Sequence, residues 1–476
     1  MIKVKKSKRK LNLLSKVFLI ILNIIGIIDI FLIIKLNVLP WKFLIPIILV
    51  LVIILVALSV LLTRKKKKKK KIYLVTFIIT ILFSLGGYYL LATLGFLNSF
   101  GNNIYNEEIY SVVILKESSY KELKDLDGET MGIIKNDVDG QNKALKNINK
   151  KISFTKKDYP DSGSLAFALL DKSVTSILLE KAQLEMINEN IDGFENLTRV
   201  LYDYSVKIKV DKEIEKIDVT NDFFNIYVSG IDTYGSVNKT SRSDVNLVVS
   251  VNPKTHEVLL TSIPRDYYVS LAGKTGYKDK LTHAGIYGVE TSMNTIADLL
   301  DTKIDYYVKV NFSSLINIVD TLGGINVYSN YNFTTIDGIN FKKGNNVLDG
   351  KKALSFVRER KAFGDIGGDR VRGENQQIVL KALIEKAISP GVLTKYNALL
   401  KSVDNSFITN IPKNYVTTLI NKQLDENVKW NITTQNLDGT NGYDYTYSYQ
   451  HQKLYVMIPD ENSLYTAREK INLLSK

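Results

Sequence analysis

The chain has 476 residues, 45% of them hydrophobic and 24% charged, with no cysteine and a formal net charge of +14. That length exceeds what one hydrophobic core serves, and the composition excludes a mainly disordered chain. Without cysteine there is no disulfide, thiolate metal site or cysteine nucleophile, and with only His256, His283 and His451 the sequence argues against a multi-histidine zinc centre.

The charge is unevenly placed. Residues 1 to 72 hold 17 Lys and Arg against one acid, Asp29, which leaves 46 bases against 48 acids in the remainder. The basic character is therefore a topology signal, and the large C-terminal region lacks the excess that a nucleic-acid backbone binder needs.

Three apolar stretches come first: Val17 to Ile34, Phe43 to Thr63 and Ile72 to Phe96, each about a bilayer thick. A signal peptide has one short apolar core and a cleavage site, so this pattern reads as a retained anchor. The basic flank at residues 1–10 and the run Arg64 to Lys71 belong on the cytoplasmic side, whereas the connection Lys35 to Lys42 carries two bases. The third span then exits outward and delivers everything after about Leu97 to the extracytoplasmic face. Asp29 falls near the outer end of its span and reads as interfacial.

From Ile109 to about Val210, strand-like runs (110–115, 131–136, 174–179) alternate with helical ones (141–150, 180–190), which predicts a small α/β unit. It shows no site and reads as an accessory or scaffolding unit. Segments 121–134 and 162–170 faintly resemble the extracellular solute-binding fold. A charged stretch from Lys207 to Asp222 separates this unit from the next.

Phe223 to Gly230 predicts an apolar strand ending in Gly-Ile-Asp232, and the strand Val245 to Val251 is entered from Ser241-Arg242-Ser-Asp244. If these strands pair, Asp232 and Asp244 share one edge at a separation suited to one Mg²⁺ with substrate oxygens and water. A third strand, Glu257 to Ser262, runs into Ile263-Pro-Arg265-Asp266, and Lys280 and His283 stand at the mouth of a predicted helix from Gly288 to Leu300. Further on come Arg358-Glu-Arg360 and Asp369-Arg370-Val-Arg372. One Arg-Asp pair is ordinarily a surface salt bridge, but recurrence at strand ends outlines a diphosphate site.

The apolar runs Tyr306 to Val310, Leu315 to Val319 and Ile378 to Ile388 suit either core or the walls of a lipid channel. A helix is expected from about Glu374 to Ala387, with its amino terminus offered to an anion. Beyond Pro390 come predicted helices at 394–403 and 415–424, a strand at 455–458 and a helix at 461–474. Tyrosines 443, 445, 447 and 449 alternate as in an exposed hairpin.

The series Gly230-Ile-Asp232-Thr, Arg242-Ser-Asp244, Ile263-Pro-Arg265-Asp266, Lys280-Leu-Thr-His283-Ala, Asp320-Thr-Leu-Gly-Gly324, Asp349-Gly-Lys-Lys-Ala-Leu354, Val357-Arg-Glu-Arg360 and Gly368-Asp-Arg-Val-Arg-Gly-Glu-Asn-Gln-Gln377 closely resembles the LytR-CpsA-Psr family. The three spans and the accessory unit are similar to its streptococcal capsule-biosynthesis type. The resemblance implies an α/β/α sandwich with a central mixed sheet and an apolar polyprenyl channel, in an α/β protein divided as membrane region 1–97, accessory domain 98–215, catalytic domain 222–390 and a C-terminal extension 391–476 packed on it. It implies an enzyme of Gram-positive envelope assembly that moves a glycopolymer (capsule, teichoic acid or similar) from undecaprenyl diphosphate to peptidoglycan, with Mg²⁺ or Mn²⁺, and that cleaves the pyrophosphate when no acceptor is present. Implied partners are the lipid-linked glycopolymer, peptidoglycan, the cell membrane and capsule-assembly proteins, with no nucleic acid. Asp232 and Asp244 match the metal-associated aspartates, and Arg242, Arg265, Arg358, Arg360 and Arg372 match the diphosphate-contacting arginines, with Lys280, Asp369 and Gln376 as further positions. Many members read Asp-Phe-Gly-Arg where this chain has Gly368-Asp-Arg-Val, so Arg370 and Arg372 both stand as the clamp residue, and Asp369 stands either as base or as a group orienting an arginine. The alternative is a non-catalytic envelope sensor or scaffold, or a transcriptional attenuator, that binds lipid-linked polymer without turning it over.

Overall fold

The computed structural model describes every residue except 1–12, 65–69, 99, 101–104, 136–138, 210–214, 232, 234–235, 363–367 and 388–406. The expected helix at 394–403 and most of the lysine run therefore lie outside the described residues. The chain divides into two compact units, Met1–Phe100 with Pro412–Lys429, and Gly101–Ile411 with Trp430–Lys476.

The first unit contains α1 (Leu13–Leu36), α2 (Trp41–Thr63) and α3 (Lys70–Leu97), each long and apolar enough to cross a membrane, with mean hydropathies of 3.0, 3.4 and 2.0. Some of their polar side chains meet between helices: Asn23 donates to Ser59 Oγ at 3.0 Å, and Ser15 Oγ lies 2.9 Å from Tyr73 Oη. Apolar tails offer no hydrogen-bond partner, so such groups find one another. Asp29 of α1 is buried beside Gly87 of α3.

The second unit begins with a five-stranded sheet. Its elements are β1 (Tyr105–Leu115), β2 (Thr130–Ile134), α4 (Asp139–Ile148), β3 (Thr155–Tyr159), α5 (Ser162–Leu170), β4 (Ser176–Glu180), α6 (Lys181–Asn190), α7 (Phe194–Leu197) and β5 (Thr198–Lys209), in the sheet order β3-β2-β4-β1-β5. Alternation along β1 sends Val112 and Ile114 into a core with α4, and Val113 into another with α5 and α6. Asp161 caps α5 by accepting from the Gly163 and Ser164 amides.

The remainder is built on a mixed six-stranded sheet. In chain order it has β6 (Phe224–Ile231), β7 (Ser243–Asn252), β8 (Glu257–Ser262), β9 (Tyr268–Val269), β10 (Asp279–Lys280), α8 (Leu281–Ala284), α9 (Val289–Leu300), β11 (Tyr306–Asn311), α10 (Phe312–Thr321), β12 (Ile325–Ser329), β13 (Phe333–Thr334), β14 (Asn340–Phe341), β15 (Gly344–Leu348), α11 (Gly350–Arg358), α12 (Gly368–Ala387), β16 (Phe407–Thr409), α13 (Lys413–Glu426), β17 (Asn431–Asn436), β18 (Gly439–Thr446), β19 (Tyr449–Pro459) and α14 (Glu461–Ser475). The sheet order is β16-β11-β6-β7-β8-β17. Residues from α9 and α14 share a core with Tyr227 and Val248 of the sheet, while α10, α11 and α12 form a second core. The central strands β6 and β7 are almost entirely buried because both faces are covered.

The described residues from 407 to the C-terminus fall into both units. Strands β16 and β17 supply both edges of the six-stranded sheet, whereas α13, between them in the chain, belongs to the first unit, where Lys42 Nζ pairs with Asp425 at 2.9 Å. Of the alternating tyrosines, Tyr443 and Tyr445 lie exposed on β18 as expected, whereas Tyr447 is in the turn and Tyr449 opens β19 fully buried.

One buried charge makes a testable demand on stability. Lys309 of β11 is 5% exposed, donates to the Lys239 carbonyl at 2.7 Å, and has its pKa lowered by burial to about 8, with Glu180 opposing. Between that value and the ordinary 10.5 the unfolded chain binds more protons than the folded one, so stability rises with pH through this window and the gain is lost as pH falls through 8. The wild-type melting temperature should rise relative to that of Lys309→Met between pH 8 and 10.5, by about 3 kcal/mol in stability at most. A pH-independent difference between the two proteins contradicts this.

Candidate functional site

At the edge where β6 and β11 end, the pairing of β6 with β7 slips. Gly230 faces Val245 but Ile231 faces Ser243, so Asp244 is an extra, bulged residue. A bulge puts two consecutive side chains on one side of a sheet. Ser243 turns to Tyr227 and Ser229 on the α9 face, while Asp244 and Val245 both line a cavity of about 380 Å³ on the other face.

Apolar side chains form most of the cavity wall: Val228 and Leu247 from the sheet, Val310 from β11, Leu315 from α10, and Val379 and Leu383 from α12. Of the apolar runs left open between core and channel, Val310, Leu315, Val379, Leu380 and Leu383 line the cavity, whereas Tyr306 and Val319 are buried elsewhere. Polar groups gather at the sheet edge: Asp244, Arg358, Glu359, Arg360, Lys361, Arg372 and Gln376. An apolar cleft with a few convergent charged groups suits an amphiphile with an anionic head.

Helix α12 supplies Arg372, Gln376, Val379 and Leu383 at spacings of four, three and four, which stacks them along one face. Gln377 fixes that face to the sheet by donating to the Leu260 and Gln435 carbonyls at 3.1 and 2.6 Å, and Asn375 donates to the Phe356 carbonyl at 3.0 Å. The helix begins at Gly368, six residues before the expected start, so Glu374 and Gln376 lie within it and no amino terminus opens at 374. Gly368 fits because a Cβ there would meet the Arg360 carbonyl oxygen at 2.6 Å.

Arg372 is 6% exposed and donates to the Asp244 carbonyl at 3.3 Å. Arg370 is 59% exposed at its side chain, stands 3.7 Å from Glu374 and 3.8 Å from Asp438, and is not a cavity residue. Of the two clamp candidates, the cavity holds Arg372. Arg358 lies over the Phe312 ring at 4.4 Å, a cation–π contact, and Glu359 folds the following turn by accepting from the Ile336, Arg360 and Ala362 amides.

Asp244 is also the hub of a charged cluster. Its Oδ1 accepts from Arg265 Nη1 at 2.8 Å and Thr282 Oγ1 at 3.0 Å; Arg265 Nε lies 3.4 Å from Asp266, and Lys280 Nζ lies 3.4 Å from Asp266 as well. Arg242 is turned to Glu189 of α6, which takes both terminal nitrogens. Burial raises the Glu189 carboxyl, but the hydrogen bond and charge of Arg242 outweigh it and leave the group below its usual range. His283 is not at the cavity: its Nδ1 lies 2.6 Å from Asp279 and 2.9 Å from Ser448 Oγ, in a buried knot that joins α8 to the β18–β19 turn.

Asp232 and the Asp369 side chain lie outside the described residues. Among those described, no group of three or more His, Cys, Asp or Glu could hold a metal ion. Asp244 nevertheless fits a hard cation, because both of its hydrogen bonds fall on Oδ1 and Oδ2 takes none from the described residues. An ion there would draw its remaining oxygens from phosphate, water and further carboxylates.

Sequence reasoning missed Glu189, Phe312, Glu359 and Thr282 as neighbours of the site. Phe312 had a faint signal, since Asn311 two positions after Lys309 is a helix-capping residue type that turns the chain at a strand's end; Asn311 accepts from the Ser314 amide.

The LytR_cpsA_psr family model matches residues 193–462. The polyisoprenyl-teichoic acid–peptidoglycan teichoic acid transferase TagU of Bacillus licheniformis is 37% identical over 205 residues, 43% of this chain and 65% of that protein. The same-named protein of Bacillus cereus is 32% identical over 243 residues, 48% of this chain and 78% of that protein. The crystal structure of Bacillus subtilis TagV superposes with a TM-score of 0.45 at 29% identity, covering 53% of this chain and 97% of that one. The match thus spans just under two thirds of the B. licheniformis relative's own length. On the family match over more than half its residues, the chain belongs to the LytR-CpsA-Psr family.

Proposed function

We propose that this protein is a membrane-anchored, extracytoplasmic phosphotransferase that moves a glycopolymer from a polyprenyl diphosphate carrier to peptidoglycan. The observation that carries the reading is the cavity, whose apolar walls end at Arg358, Arg360, Arg372 and Asp244. The relatives' names, which couple a polyisoprenyl-linked teichoic acid to peptidoglycan, support the same substrate class. The uneven charge supports a cytoplasmic amino terminus and an exported catalytic unit, which keeps the site next to the outer leaflet.

In the proposed reaction, a sugar hydroxyl of peptidoglycan attacks the glycopolymer-proximal phosphorus, the bond to the bridging oxygen breaks, and polyprenyl phosphate leaves with that oxygen. Phosphoryl transfer needs charge neutralised on the non-bridging oxygens and the nucleophile held in line. Arg265, Arg358, Arg360 and Arg372 supply the charge, and the prenyl chain in the cavity holds the phosphorus in place. Lys280 lies behind Arg265 and orients it through Asp266. Asp369 takes the hydroxyl proton. Asp244 and Asp232 would hold a Mg²⁺, which supplies further neutralisation of the diphosphate. Without an acceptor, water replaces the hydroxyl and pyrophosphate cleavage results.

Incubation of the full chain in nanodiscs with a polyprenyl-diphosphate glycan, Mg²⁺ and peptidoglycan oligomers tests the reading. The expected result is a glycan–peptidoglycan phosphodiester with release of polyprenyl phosphate. Saturable donor binding with no turnover would instead describe a scaffold.

A further inference from the structure

We infer that the accessory part of the second unit completes the diphosphate site, with Glu189 as the positioning residue for Arg242. This rests on the reading of the cavity edge as a diphosphate site. Arg242 Nη2 donates to Glu189 Oε1 at 2.6 Å, and Nη1 donates to Oε2, so the carboxylate caps the end of the guanidinium. A guanidinium has a second donor edge, made of Nε–H and one Nη–H. On Arg242 that Nε is buried and makes no hydrogen bond with the described residues. Leaving a buried donor unmatched is unfavourable, and an anionic oxygen is the strongest acceptor that could meet it.

The backbone bearing Arg242 is held from two sides. From the accessory sheet, Glu107 of β1 bridges to Lys239, donating to the Asn238 carbonyl at 2.8 Å and accepting from the Thr240 amide at 3.0 Å. From behind, Gly285 packs so closely that a Cβ there would sit 2.6 Å from the Ser241 carbonyl oxygen and 2.7 Å from the Ser243 amide. Two residues later the chain enters the bulge that aims Asp244 into the cavity. Asp244 favours the Arg242 cation by its charge but makes no hydrogen bond to it; its bonds go to Arg265 and Thr282, and the terminal nitrogens of Arg242 go to Glu189. The carboxylate that fixes Arg242 therefore comes from α6, more than 50 residues earlier in the chain. An arginine pinned at its end loses less freedom when its side edge takes a phosphate oxygen, and so binds that oxygen better.

The test measures kcat and KM for a polyprenyl-diphosphate donor, together with the melting temperature, for the full chain in nanodiscs carrying Glu189→Gln, Glu189→Asp, Arg242→Ala or the Glu189→Gln/Arg242→Ala pair. Glu189→Gln is expected to raise the donor KM about tenfold, to change kcat less and to leave the melting temperature in place. Glu189→Asp should recover part of the loss, and Glu189→Gln should add nothing once Arg242 is alanine. The inference is overturned by a fall in KM, which would make Glu189 a competitor of the substrate, by an unchanged KM, by independent multiplication of the two single effects, or by a change in melting temperature alone. Arg265→Ala and Arg372→Ala, measured alongside, separate the two failures: turnover undiminished in both would reject the diphosphate site itself.

Discussion

Arg372→Ala should lower glycopolymer transfer by about 10²- to 10³-fold, the loss that removal of one preorganised transition-state donor produces. The size of the effect follows from where the guanidinium stands. It is buried on α12, one helical turn before Gln376 and two before Val379, and its bond to the Asp244 carbonyl aims it at the bulge. A cation held in a water-poor site is worth far more to a phosphate in its transition state than one that must be gathered from solvent. Arg372→Lys should recover little, because an ammonium cannot span two phosphate oxygens. Arg370→Ala, at an exposed position outside the cavity, should stay within a few fold of wild type. Initial rates measured below the melting temperature of every variant check this, and equal losses for the two alanine variants would remove Arg372 from the site.

Val379→Trp should discriminate between donors by the length of their lipid. Val379 is buried and lines the cavity one turn beyond Gln376, so an indole there takes space assigned to the prenyl chain. Excluding three methylenes forfeits about 2.4 kcal/mol at ~0.8 kcal/mol each, or about 60-fold in kcat/KM for a long-chain donor. A donor whose chain ends short of Val379 should keep its rate, whereas Arg372→Ala should slow both donors alike. Overpacking itself costs about 1–3 kcal/mol in stability, so rates must be compared within the variant, long donor against short. A loss that ignores lipid length would mean that the cavity is core, and that the lipid binds elsewhere.

Much of this arrangement is legible in the sequence because its signals are local. The three spans, the strands β6, β7 and β8 and the helix α9 follow from runs of apolar residues bounded by Gly, Pro and charge. The arginines are visible as pairs at strand ends. The features that escape such a reading depend on register or on distance. The bulge at Asp244 is one extra residue between two pairings, and nothing in Arg-Ser-Asp-Val announces it. Sequence pattern places the start of α12 too late because residues 368–377 are polar but for Val371 and contain two glycines, so the apolar period begins only at Ile378, although the helix is pinned to α11 through Asn375 and to the sheet through Gln377. The same misplaced boundary leaves Arg370 and Arg372 indistinguishable, since only the helical phase tells which faces the cavity. The strands β16 and β17 pair with partners about 100 and 170 residues away in the chain, and Glu189 reaches Arg242 from α6, more than 50 residues earlier. No periodicity carries information of that kind.

Placing ³²P in the glycopolymer-proximal phosphate of a polyprenyl-diphosphate donor and following it through one turnover of the full chain in nanodiscs tests the central claim most directly. If the arginines activate that phosphorus, the label becomes covalently bound to peptidoglycan, with unlabelled polyprenyl phosphate released in equal amount. Label recovered on the lipid, or glycan joined to peptidoglycan without it, would contradict the account.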